Sequence, residues 1–133
     1  MSQENVEVVR RMCEAFLAGD VASALAVLHG DVTWHGTIGG IDEQTIAHGH
    51  DEVINGFVES LRDWERHSLT AEDYIDAGDR VVVLWHEVGR GKASGVEVET
   101  RTAVVYTVRG DEVVEVQGYM DRRQAFEALG LSA

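Results

Sequence analysis

Two side chains could do chemistry that their surroundings do not call for. His86 interrupts the apolar run VVVLWH (81–86), and Tyr106 ends the run AVVY (103–106). An imidazole titrates near neutral pH and can act as a general base. A phenol can donate a hydrogen bond to a carbonyl or a developing oxyanion. Plainer readings stand beside these. His86 could be half-buried and bonded to a neighbour, or turned outward by a register one residue off. Tyr106 could be a core aromatic whose hydroxyl reaches the rim. Glu87 follows His86 directly, so strand alternation sends it to the other face.

Other candidates read as structural. His48 and His50 form an H-x-H pair with His29 and His35 upstream, and on one strand such a pair could bind zinc. Gly49 and the helical pattern that follows make this a loop running into a helix, so no metal and no cofactor are expected. Cys13 sits in a helical apolar stripe and reads as a buried thiol. Asp121, with Gln124 three residues on, reads as a helix cap.

The elements that must position these groups follow from period and punctuation. Ser2 can cap a first helix whose stripe is Val6, Val9, Cys13, Phe16 and Leu17. Gly19 stops it and Asp20 caps a second helix with Ala24, Leu25, Val27 and Leu28 on its apolar face. Val32 and Trp34 alternate with Thr33 and His35 in a short strand. The stretch 36–49 reads as a loop, and 36–47 as a mobile lid. Residues 51–64 return to helical spacing. Strands are expected weakly at 69–75 and strongly at 79–89, 96–108 and 113–120. A short helix then ends at Gly130. Helices early and strands late give an α+β chain.

Composition narrows the function. The 133 residues carry 24 Asp plus Glu against 11 Lys plus Arg, a net charge of −13, so polyanions are poor partners. The only adjacent basic pairs are Arg10–Arg11 and Arg122–Arg123. No nucleic acid and no membrane surface are expected as partners. The length suits one domain, 1–133, and 44% hydrophobic residues suffice for a core. One Cys, an N-terminus without a basic or long apolar stretch, and apolar runs of at most five residues predict a soluble cytoplasmic protein. Fourteen Gly and no Pro are present, so slow proline-isomerisation phases should be absent.

The order helix–Gly–Asp–helix–strand in NVEVVRRMCEAFLAGDVASALAVLHGDVTWH (5–35) carries a family resemblance. So do AHGHDEVINGF (47–57), the strand-rich stretch 76–121 and the closing QAFEALGL (124–131). Together they resemble the SnoaL-like branch of the nuclear transport factor 2-like, cystatin-like superfamily over nearly the whole chain. The resemblance implies a curved antiparallel sheet wrapped around helices to form a cone with an internal pocket. It also implies a parity. Trp34 and Gly36 point inward, as do Leu84, His86 and Val88. Thr102, Val104 and Tyr106 follow, then Val116, Gly118 and Met120, with His48 at the mouth. Val81, Val83, Trp85, Ala103, Val105, Glu115, Gln117 and Tyr119 then lie outside, an apolar patch that suggests a homodimer.

The same resemblance excludes chemistries. Ketosteroid isomerases need a base carboxylate, a Tyr and a protonated Asp; the corresponding positions here hold Gly36, Met12 and Val104. The late Asp of limonene-type epoxide hydrolases falls at Gly118. The cyclase carboxylate has no counterpart at Val116, Gly118 or Met120. Three readings remain. The first is an isomerase, cyclase or lyase on an apolar carbonyl compound, with His86 as base and Tyr106 as electrophile. The second is a non-catalytic binder of an apolar metabolite. The third is a dimeric module without a ligand.

Overall fold

The computed structural model describes residues 2–131, Ser2 by its backbone alone, so the cap expected of the Ser2 side chain lies outside the described residues. Helix α1 (Ser2–Leu17) buries Val6, Val8, Val9, Met12 and Cys13, with Phe16 packed beside them. Leu17 was expected on this stripe but is exposed. It lies about 100° round the helix from Phe16 and so turns off the buried face. Gly19 adopts a positive φ of 79° where the helix ends. Asp20 then caps α2 (Val21–Val27), its carboxylate accepting from Ser23 N at 3.2 Å and from Ser23 Oγ at 2.6 Å.

Strand β1 (Leu28–Ile38) runs on well past His35. The segment read as a loop folds back as a hairpin, because β2 (Ile46–His48) pairs antiparallel with β1. Gly36 allows this close approach. Its N–H donates to Thr45 O at 2.8 Å, and a Cβ there would overlap the Asp42 carbonyl oxygen. The segment expected as a lid is thus pinned to β1 by backbone pairing.

Helix α3 (Gly49–Leu61) ends before Trp64, which opens β3 (Trp64–Ala77). Strands β4 (Arg80–Gly91), β5 (Glu97–Arg109) and β6 (Glu112–Tyr119) follow. Asp121 caps α4 (Arg122–Ala128) through Arg123 N at 2.9 Å, the role expected of it.

The six strands form one curved, unclosed sheet in the order β2-β1-β6-β5-β4-β3. Neighbours are antiparallel except β1 and β6, which run parallel. A parallel pair needs a long crossover, and here residues 39–111, more than half of the chain, lie between the two strands. On the concave face, α1, α2 and α3 bury Val6, Val9, Cys13, Ala24 and Val53 against Val81, Val83, Trp85, Tyr106, Val113 and Val116. On the convex face, Ala125 and Leu129 of the C-terminal segment cover Val82, Ala103 and Val105. Among the described residues no helix is long and apolar enough to cross a membrane.

Candidate active site

The concave face brings together most of the residues expected to line a pocket. Cross-strand partners share a face, and the register pairs Trp34 with Val116, Val116 with Tyr106, Gly118 with Val104, and Thr102 with Trp85. Rings crowd this face. Phe16 and Phe57 lie 4.4 Å apart, and Trp34 meets Phe57 at 6.2 Å and Tyr106 at 6.3 Å, both edge to face. Met120 lies past the end of β6, exposed beside Gly39.

Strand β4 runs with the opposite parity to the one expected. Val81, Val83 and Trp85 face the helices, and Trp85 Nε1 donates to Tyr106 Oη at 3.3 Å. Leu84, His86 and Val88 therefore lie on the convex face, across the sheet from Tyr106. His86 meets Glu99 at 2.7 Å there, opposite Arg101. The reason is physical. A strand apolar on both faces carries no period-2 signal, and a slip of one residue flips every side chain. Packing of the larger set, with Trp85, against α1 and Tyr106 decides the register.

His48 is also displaced from its expected place. It pairs with Thr33, on the side away from Trp34, and its Nδ1 lies 3.3 Å from Thr33 Oγ1. His50 is bonded to Leu28 O at 2.8 Å. Among the described residues no group of three or more His, Cys, Asp or Glu is placed to hold a metal ion.

The deep interior is electrically silent. Burial pushes the Cys13 thiol up to about 12 and the Tyr74 phenol up to about 12. Burial also raises Tyr106 well above its ordinary value. The Cys13 thiol lies beside both phenols, whose nearness works against the rise. These groups stay neutral at physiological pH, and the Tyr106 hydroxyl is engaged by Trp85 Nε1.

One ionisable cluster on the concave face escaped the sequence reading. His67 Nε2 meets Glu87 Oε2 at 2.7 Å, and Thr100 Oγ1 donates to Glu87 Oε1 at 3.3 Å. Register places Glu87 opposite Leu69 and Thr100, and His67 opposite Gly89, all on the Trp85 face. Trp64 stacks on His67 with centroids 5.5 Å apart and planes inclined by 29°. Gly89 permits this, since a Cβ there would stand 2.7 Å from the Trp64 ring. The signal for it is the alternation His67, Leu69, Ala71, which the polar Glu65, Arg66 and Ser68 hide.

Comparison with known proteins agrees with this architecture. The SnoaL-like domain model matches residues 9–116. No curated protein sequence matches the chain. A nuclear transport factor 2-like protein of unknown function from Burkholderia pseudomallei is 25% identical, with 95% of this chain and 97% of that one covered and a TM-score of 0.76. TerC, crystallised with polyporic acid, is 20% identical over 96% of this chain and 98% of its own, with a TM-score of 0.75. A candidate SnoaL-like polyketide cyclase from Jannaschia is 17% identical over 98% and 94%, with a TM-score of 0.76. With four helices and one curved six-stranded sheet among the described residues, and a family match across most of its length, the chain belongs to the SnoaL-like domain family.

Proposed function

We propose that the chain takes a flat, apolar carbonyl compound onto its concave face and acts on it as an isomerase, cyclase or lyase, in the cytoplasm. The observation that carries this is the continuous aromatic wall of Trp34, Phe57, Tyr106 and Trp85. Such a wall offers large apolar contact with few polar handles. Thr102, Val104, Val116 and Gly118 share that face and complete the lining. Tyr106 serves as wall, since its hydroxyl is already engaged. His86 has no part in this site. A ligand seats by parting Phe57 of α3 from Trp34.

A non-catalytic binder is the second reading. It draws support from the neutral interior and from the absence of a carboxylate at Val116, Gly118 or Met120. The packed rings lend the ligand-free module some support too. One experiment separates the three. A panel of flat aryl ketones and quinones is screened by thermal shift, where a ligand at 100 times its Kd stabilises by about 2.7 kcal/mol. Stabilisation lost in Trp34→Ala supports the pocket, and no hit leaves only the module. A hit recovered unchanged after long incubation means a binder.

The same reading includes a homodimer through the convex face, where Leu84, Val88 and Tyr119 now replace Val81, Val83 and Trp85. A single monomeric boundary at micromolar concentration in sedimentation would sink it.

A further inference from the structure

We propose that the concave-face pair His67–Glu87 is the acid–base centre of this protein, with His67 Nδ1 moving the proton of a bound apolar carbonyl compound. The proposal rests on the small-molecule reading above. It takes that reading to particular atoms.

Among the described residues, three His–Glu pairs cross the sheet. His35 meets Glu115 at 3.0 Å, His86 meets Glu99 at 2.7 Å and His67 meets Glu87 at 2.7 Å. The first two lie on the convex face, since His35 neighbours inward Trp34 and His86 neighbours inward Trp85. Only the third shares a face with the aromatic wall. Its imidazole is also the least exposed of the three, at 16% against 29% and 22%. Convex pairs of this kind serve the sheet as ordinary cross-strand contacts.

The third pair is built as an oriented base. A carboxylate only accepts, so beside ionised Glu87 the neutral imidazole carries its proton on Nε2 and keeps its lone pair on Nδ1. That Nδ1 has no hydrogen-bond partner. Among the described residues no buried side-chain nitrogen or oxygen lacks a partner, so Nδ1 opens to solvent at the sheet's end. Thr100 holds the second Glu87 oxygen, which fixes the carboxylate and through it the ring. The stacked Trp64 face favours the imidazolium once formed. Glu87 and Trp85 are two residues apart on one face of β4, about 7 Å. Trp85 and Tyr106 are covered by the helices, so a ligand that parts α3 from these rings comes within reach of the pair.

The step balances without a cofactor. The Nδ1 lone pair takes a proton from the carbon beside the carbonyl. The C–H electrons become a carbon–carbon double bond, and the carbonyl π pair moves to oxygen as an enolate. The imidazolium, held by Glu87, returns a proton to that carbon, after trading its own with solvent where exchange is seen, or, in a β,γ-unsaturated ketone whose anion is a dienolate, to the γ carbon. Nothing is oxidised or reduced.

The test uses 1-tetralone as probe. Its binding is read by thermal shift, and exchange of its α-protons into D2O by NMR. We expect exchange above the buffer rate, reduced about 100-fold or more in His67→Gln, reduced also in Glu87→Gln, and unchanged in His86→Gln. Glu87→Gln keeps the side chain's size and covers a folding loss in the His67 variant. In 15N imidazole spectra, 1-tetralone should move His67 Nδ1 and leave His35 and His86 in place. Bound 1-tetralone exchanging at the buffer rate, or as fast in both variants as in wild type, overturns the acid–base role and leaves the binding reading standing. Failure of 1-tetralone and the whole ketone panel to bind instead sinks the reading beneath it, and the proposal with it.

Discussion

Arg122, at the head of α4, holds Glu72 of β3 at 2.6 Å across fifty residues of sequence. The same guanidinium donates to Trp85 O at 2.9 Å and to Thr102 O at 3.1 Å. Glu72 stands at the β3 irregularity between Ala71 and Asp73, which frees it to reach Arg122 on the convex face. One side chain thus ties the last helix to three strands.

This contact predicts an acid-sensitive α4. Bonding to Arg122, reinforced by Arg101 and His86, holds the Glu72 carboxyl below its ordinary value of 4.5. A lowered carboxyl stabilises the fold above that value and loses its contribution as pH falls through the lowered one. Protection of amides 122–128, taken against their intrinsic exchange rates, should therefore fall in acid. Glu72→Gln should show the lowered protection already at neutral pH, with much less pH dependence. Equal pH dependence in both would refute the assignment.

Tyr106→Phe should destabilise by about 1–3 kcal/mol, because Trp85 Nε1 is left buried without an acceptor. Urea titration measures this. A change well under 1 kcal/mol would mean the hydroxyl carries little of the packing.

Cys13 should resist a disulfide reagent in the native state at pH 8. Its thiol is buried and titrates only at about 12. Labelling rates across a urea series should follow the unfolded fraction, and prompt labelling in buffer would contradict the packing.

Gly89→Ala should swing Trp64 off the sheet, because the new methyl would stand 2.7 Å from its ring. Emission from Trp64 should shift to the red while the core holds. An unchanged spectrum, with Trp34 and Trp85 replaced by Phe as background, would show that the ring tolerates the methyl.

The fold was legible because its markers are local. Gly19–Asp20, the Asp121 cap and the β-rich second half needed no tertiary information to read. The β1–β2 hairpin was not, since it depends on Gly36 meeting the 42–45 segment in space. Nor was the register of β4, where VVVLWHEV has no polar face to mark which side meets the helices. The candidate site suffered doubly from this. His86 is the polar residue that interrupts that run, yet its neighbour Glu87 is the one turned toward the rings. Its partner His67 lay in a strand start whose flanking Glu65, Arg66 and Ser68 hide the alternation.

The parallel pairing of β1 with β6 has a consequence for synthesis. Residues 28–38 are made early, but their neighbour in the middle of the sheet is residues 112–119. Until those leave the ribosome, β1 has only the three-residue β2 to pair with. The nascent chain must carry an open strand edge through most of its translation, the kind of edge that invites pairing with another chain. For this protein the risk of misassembly is greatest just before β6 emerges.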